Sequence, residues 1–280
     1  AGTVSEPSDL ALDADGRLWM VLSRTERVLH WDAVLTKSAM ADADGVIGEP
    51  SLLSTNDTNF IPSAMPRAPH AGLEDAVSGK FFLADEGRVL RYSSRAAAQA
   101  GTPPEAVLGK AAASQYGGGS ATATNLRSAW GLALDATGQL WVSDPRGHRI
   151  VSFAAAATAP TGASMSVVLG QADFLTSTAG LAADRLNTPR TLAIDANGHL
   201  YVADHGNHRV LRFNQIATKA SGAAADAVIG QGDLLTASTA SNAALLRNPS
   251  GLCFDAGGRL WVADTGKNRI ARYDTPLAMA

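Results

Sequence analysis

The sequence predicts an all-β protein made of five like modules, and three observations carry that prediction. Turn glycines recur at a near-constant interval, short apolar runs flank them, and four of the five modules close their second run on the same polar residues. The glycines stand in Asp15-Gly16-Arg17-Leu18-Trp19, Ser78-Gly79-Lys80-Phe81-Phe82, Thr137-Gly138-Gln139-Leu140-Trp141, Asn197-Gly198-His199-Leu200-Tyr201 and Gly257-Gly258-Arg259-Leu260-Trp261. The steps between them are 63, 59, 60 and 60 residues. A fixed period of this kind marks an array of one supersecondary unit. The units begin near residues 4, 66, 126, 186 and 246 of one domain spanning residues 1–280.

The fourth unit shows the elements in order. Residues 190–195 alternate as a first strand, a, and Asp195-Ala196-Asn197-Gly198 is a turn in which Asn-Gly supplies positive φ. Residues 199–204 form strand b, ended by Gly206-Asn207. Strand c, Arg209–Phe213, places Val210 and Arg212 on one side and Leu211 and Phe213 on the other. An Ala/Ser/Thr-rich linker leads to strand d at residues 227–231. Short strands with tight turns pair antiparallel. Four-stranded antiparallel sheets at a fixed interval make the blades of a β-propeller. Strand d recurs at Val46-Ile47-Gly48-Glu49, Val107-Leu108-Gly109-Lys110 and Val168-Leu169-Gly170-Gln171. Only seven residues follow Tyr273, so the last blade is expected to be incomplete.

Asn207-His208-Arg209-Val210-Leu211, following Leu200-Tyr201-Val202-Ala203-Asp204, resembles the signature of the NHL-repeat β-propeller family. Gly266-Lys267-Asn268-Arg269-Ile270 and Gly147-His148-Arg149-Ile150-Val151 are near variants. Unit one departs from the pattern, with Leu22 in place of the Asp and Thr25-Glu26-Arg27 in place of Asn-His-Arg. The resemblance implies a propeller, an architecture that hosts binding modules, RNA readers and lyases alike.

Composition narrows the classes. Apolar residues make up 46%, enough for a sizeable core. Net charge is -3 and only 5 of 23 basic residues are lysine, which argues against a nucleic-acid coat. The single Cys253 can form no internal disulfide. No stretch is long and apolar enough for a membrane helix. The N-terminus carries no charged-then-apolar leader, so the chain is expected to be cytoplasmic or a processed secreted or periplasmic product. Low lysine content and the polar linkers suit the secreted or periplasmic assignment.

The repeated polar residues read as structure. Asp85, Asp144, Asp204 and Asp264 end strand b, and Arg88, Arg149, Arg209 and Arg269 begin strand c, so each pair is expected to staple its turn. His148 and His208 share one repeat position with Asn268 and read as turn residues. Asp13, Asp135, Asp195 and Asp255 precede hairpin turns and are expected to cap backbone donors. Trp19, Phe82, Trp141, Tyr201 and Trp261 share one register in strand b and are expected in the core between sheets.

The units differ where strand a begins. That position reads Ser8, His70, Trp130, Arg190 and Ser250, preceded by Pro in four units and by Ala129 in the third. With strand a innermost, these residues ring one mouth of the central channel. The variable b–c turn residues Ser23, Glu86, Pro145, His205 and Thr265 reach the same face, and residues 243–246 could add a helical turn there. Loops on a rigid scaffold are where binding residues gather. The expected ligand site is therefore Ser8, His70, Glu86, Trp130, Arg190, His205 and Ser250.

Two functions follow from that site. In the first, the chain is a non-catalytic scaffold binding a small molecule, peptide, glycan or protein at the mouth. Trp130 would then be a platform and Arg190 an anion partner. In the second, it is a metal-dependent lyase or hydrolase, as the resemblance to enzymatic NHL propellers implies. His70 and His205, with Glu86, would then hold a divalent ion as the one cofactor. Single-stranded RNA binding would need a more electropositive, aromatic face than Arg190 and Trp130 provide. No phosphate loop, nucleophile elbow or Cys-x-x-Cys supports other chemistries.

Overall fold

A computed structural model describes residues 7–12, 17–22, 27–38, 41–47, 69–112, 114–115 and 117–276. Five antiparallel sheets form the blades of a propeller, packed in sequence from blade 1 to blade 5, each sheet ordered from its innermost strand outward. Blade 1 contains β1 (Pro7–Leu12), β2 (Leu18–Leu22), β3 (Arg27–Trp31) and β4 (Gly45–Ile47). Blade 2 contains β5 (Pro69–Glu74), β6 (Phe81–Asp85), β7 (Arg88–Tyr92) and β8 (Ala106–Leu108). Blade 3 contains β9 (Leu132–Leu134), β10 (Leu140–Asp144), β11 (Arg149–Phe153) and β12 (Val168–Leu169). Blade 4 contains β13 (Pro189–Ile194), β14 (Leu200–Asp204), β15 (Arg209–Phe213) and β16 (Ala227–Ile229). Blade 5 has three strands, β17 (Pro249–Phe254), β18 (Leu260–Asp264) and β19 (Arg269–Tyr273).

Each middle blade buries both faces, so its strands carry apolar side chains toward both neighbouring sheets. In β15, Val210 packs toward blade 5 with Leu246, Leu252 and Leu260. Leu211 and Phe213 pack toward blade 3 with Trp141, Ile150 and Leu169. The hairpin turns between strands a and b take positive φ at the glycine alone, for example Gly198 at 76°. Asn197 keeps ordinary backbone geometry, so the turn needs one permissive residue where the sequence suggested two. The preceding Asp does the capping. Asp195 accepts from the Asn197 and His199 amides, both at 2.9 Å.

The carboxylate also holds the strand b aromatic. Trp141 Nε1 donates to Asp135 and Trp261 Nε1 to Asp255, each at 2.9 Å. This pairing was not visible in the repeat. Trp141, Tyr201 and Phe82 are fully buried as expected, but Trp261 is only partly buried, because among the described residues no further sheet covers its side of blade 5. One short helix, α1 (Arg95–Gln99), occupies the c–d linker of blade 2 and is capped by Ser94, whose hydroxyl accepts from the Ala97 amide. Residues 243–246 make a hydrogen-bonded turn and no helix.

The Asp–Arg staples form in all four blades expected. Arg88 Nε donates to Asp85 at 2.8 Å, Arg149 to Asp144 at 3.0 Å, Arg209 to Asp204 at 2.8 Å and Arg269 to Asp264 at 2.7 Å. Each does more than close a turn. Asp144 also accepts from the Arg127 and Ser128 amides, and Arg149 donates onward to the Asn125 and Phe174 carbonyls. The pair thus fastens the long incoming loop and the next outgoing loop to the blade edge. A second device joins neighbouring blades. His148 and His208 sit at left-handed φ, 49° and 58°, and turn Nδ1 toward the following blade. His148 Nδ1 accepts from the Thr188 amide and His208 Nδ1 from the Asn248 amide, each at 3.1 Å.

Candidate functional site

Strand a opens on an irregularity. The β1–β2, β5–β6, β13–β14 and β17–β18 ladders each shift register just after the initial proline. A bulge re-aims the side chain it carries. His70, Arg190 and Ser250 lie within those shifts, and in blade 3 Trp130 lies just before β9. The start of strand a and the b–c turns do share one face. The Ser250 and Thr265 hydroxyls are 2.5 Å apart, and His205 Nδ1 lies 3.1 Å from the Pro249 carbonyl of the next blade.

Three of the expected residues meet. His70 stacks on Trp130 with ring centroids 4.0 Å apart and planes 9° apart. The Arg190 guanidinium lies over the same indole, its carbon 4.9 Å from the ring centre. The residues come from blades 2, 3 and 4 and form one column across two junctions. Gly131 lets the blades approach closely enough. A Cβ there would meet the Arg190 carbonyl at 2.6 Å and the Thr191 Cα at 3.0 Å.

Electrostatics distinguish the members of this column. Burial pushes His70 down to about 4, Asp85 opposes the shift, and Arg190 and Arg146 reinforce it. Burial also lowers His205, again with Arg190 reinforcing it. Both imidazoles are therefore neutral at neutral pH. Burial alone lowers Arg190. Among the described residues no carboxylate faces its guanidinium and no hydrogen bond holds it.

The remaining expected residues stand apart from the column. Ser250 faces Thr265, and its carbonyl accepts from Thr191 Oγ1 at 2.6 Å. Glu86 opens the blade 2 turn, where its carbonyl accepts from the Gly117 amide at 2.6 Å. The charges that bear on His70 are Asp85, Arg190 and Arg146, with Glu86 not among them. The side chain of Ser8, with Asp13 and Ser23, lies outside the described residues. Arg146 is a mouth residue the sequence reading missed. Its repeat position holds Gly206 and Gly266 in blades 4 and 5, and that departure from glycine was the available signal.

His70 and His205 both bear the field of Arg190, and a cation acting on both imidazoles opposes a divalent ion there. Among the described residues no group of three or more His, Cys, Asp or Glu is placed to hold a metal. Among the described residues the column presents neutral imidazoles beside one guanidinium.

The NHL-repeat family model matches residues 186–213 and 246–273, which are strands a to c of blades 4 and 5. The chain is a five-bladed β-propeller with NHL repeats in blades 4 and 5. No curated protein matches its sequence significantly. Among solved structures it is similar to a streptogramin B lyase at 13% identity and TM-score 0.52, over 97% of this chain and 70% of the other. A virginiamycin B lyase from Staphylococcus aureus aligns at 10% identity and TM-score 0.50, over 98% and 71%. A nidogen/laminin complex aligns at 16% and 0.56, over 94% and 73%. At these identities the likeness of this propeller to the three structures is one of fold alone.

Proposed function

We propose that this propeller is a non-catalytic recognition module whose ligand presents an anionic group to Arg190 at the channel mouth. The observation that carries this reading is the half-buried guanidinium stacked on Trp130 with no carboxylate opposite it among the described residues. A partly desolvated cation without a partner costs stability, and a bound anion would offset that cost. At about 4 Å and an effective dielectric of about 20, the attraction is about 4 kcal/mol before the anion's own desolvation. His70 and His205, neutral at working pH, would add donors, and Ser250 and Thr265 would add hydroxyls on the same face. Trp130 already carries His70 and Arg190, so its role is to hold the guanidinium in place, with less of its surface left as an open platform. Small molecules, acidic peptides, glycans bearing carboxylate or sulfate, and protein loops all offer the required group.

The test is a titration with sulfate, phosphate and short dicarboxylates at constant ionic strength, followed by tryptophan fluorescence. Saturable binding that disappears in Arg190→Met, a variant of similar length, supports the reading. Absence of any saturable anion response defeats it. Metal analysis of the same preparation decides the alternative. About one transition metal per chain, lost in the His70→Ala/His205→Ala double variant, would favour a metal-dependent lyase or hydrolase.

A further inference from the structure

Arg146 stands on the turn Pro145–Gly147 between strands b and c of blade 3, on the face where the strands a begin. That turn is fastened at both ends. Asp144 accepts from the Gly147 amide at 3.1 Å, and the Arg146 carbonyl accepts from Arg127 Nη1 at 2.7 Å. Arg127 is itself fixed, donating through Nε to the Gly119 carbonyl at 3.1 Å. The backbone of Arg146 is therefore well placed, while its side chain is exposed. Among the described residues no carboxylate or carbonyl is bonded to its guanidinium. Blades 4 and 5 make the same turn with Gly206 and Gly266 at this position. A turn that forms twice with glycine does not need arginine for its backbone.

The side chain reaches the column. His70 bears the fields of both Arg190 and Arg146, whereas His205 bears that of Arg190 and not of Arg146. Arg146 thus lies toward the His70 end, and it comes from blade 3 while Arg190 comes from blade 4. The Asp85 carboxylate that also acts on His70 is committed to Arg88, 2.8 Å away. Two guanidiniums held at one surface repel each other. A ligand with a single negative charge leaves part of that repulsion standing, and a ligand with two is attracted by both cations.

We propose that Arg146 makes the channel mouth selective for dianions, so that a dicarboxylate or a phosphate is bound by Arg190 and Arg146 together while a monoanion engages Arg190 alone. This rests on the reading of Arg190 as the anion partner. Arginine suits both positions, because its planar fork meets the paired oxygens of carboxylate or phosphate. The two contacts differ in weight. Arg190 is half-buried and stacked on Trp130, so it supplies the fixed contact. Arg146 adds what an exposed ion pair adds, about a two- to fivefold gain in affinity.

The test compares acetate, succinate and phosphate at pH 7.5 and constant ionic strength, followed by tryptophan fluorescence of the full chain. Succinate or phosphate should bind at least about threefold more tightly than acetate. The tighter of the two shows whether the charges sit on separate carboxylates or on one centre. Arg146→Met should lower dianion affinity about two- to fivefold and acetate affinity by less than about twofold. Arg146→Lys keeps the charge and should retain the preference. Both substitutions lie at an exposed position that two other blades fill with glycine, so the thermal midpoint should not move. Equal affinity for all three anions, or a preference that survives Arg146→Met, overturns the proposal. Saturable binding lost in Arg190→Met would then still uphold the anion role of Arg190. No saturable binding of any of the three defeats both.

Discussion

In blade 4 the staple Asp204–Arg209 is fully buried, Val210 is sealed against the next sheet, and His208 reaches across to the Asn248 amide. Blade 5 repeats the same letters with a different outcome. Arg269 of its staple is 33% exposed, Ile270 faces solvent, and Asn268 stands where His208 would be. One local sequence therefore gives one local backbone in both blades, while the environment of each side chain is set by the neighbouring sheet. Blade 1 shows the complementary effect. Leu10 is 58% exposed, yet its counterparts Leu132, Leu192 and Leu252 are buried against the blade before them. In repeat architectures each unit borrows much of its stability from the adjacent interface. Blades 1 and 5 are thus the two where local sequence and burial part company.

The largest expected difference between the two blades lies in the staples. Asp204→Ala leaves Arg209 buried without its carboxylate and strips an acceptor from the Asn187 amide. Removing one partner of such a pair costs about 3 to 5 kcal/mol. Asp264→Ala should cost about half as much, because water can reach the Arg269 guanidinium. Urea unfolding of the two variants measures both. Equal losses would mean that blade 5 is as enclosed in solution as blade 4.

A smaller effect should separate the strand c residues. Val210→Ala removes fully buried methyl groups and should destabilise by about 1 to 2 kcal/mol. Ile270→Ala deletes more carbon yet should cost under about 0.5 kcal/mol, because its side chain is already in water. A larger loss at Ile270 would show that something covers this face in solution.

The same comparison shows what the sequence could reveal. The strands, turns and staples were legible, because each depends on residues inside one repeat. Asp204 and Arg209, five positions apart, meet wherever the b–c turn forms. The column of His70, Trp130 and Arg190 was legible only as three variable residues on one face. Its stacking depends on how blades 2, 3 and 4 approach, and on Gly131 giving way at the junction. Lys110 illustrates the same limit. It replaces the glutamine found at Gln171 and Gln231, and its buried ammonium reaches the Gly117 and Leu126 carbonyls, each at 2.7 Å. Nothing within unit two alone announces that set of acceptors. The exposure of Ile270 was hidden for a related reason, since its repeat position reads as core in every unit.

The histidine junctions give the smallest effect and the most specific one. His148 and His208 accept a backbone amide through the unprotonated Nδ1, so each bond exists only while the ring is neutral. Burial lowers both imidazoles from their ordinary value, reinforced by Arg127 at His148 and Arg247 at His208. A depressed folded value means that the unfolded chain binds more protons over that interval, so stability rises with pH. The contribution is fully present above about 6.5, the unfolded value, and is lost as pH falls toward the depressed folded values. His70, held at about 4, extends the same acid sensitivity to lower pH. His208→Asn copies what blade 5 already carries at Asn268 and tolerates the left-handed backbone. At pH 7.5 it should cost about 1 kcal/mol, one hydrogen bond, in urea unfolding. At pH 5 protonation of the imidazole in the unfolded chain offsets part of this stabilisation, so the two proteins should converge. A gap that persists undiminished at pH 5 would show that the His208 ring contributes by packing, and that the blade 4–blade 5 junction does not depend on its lone pair.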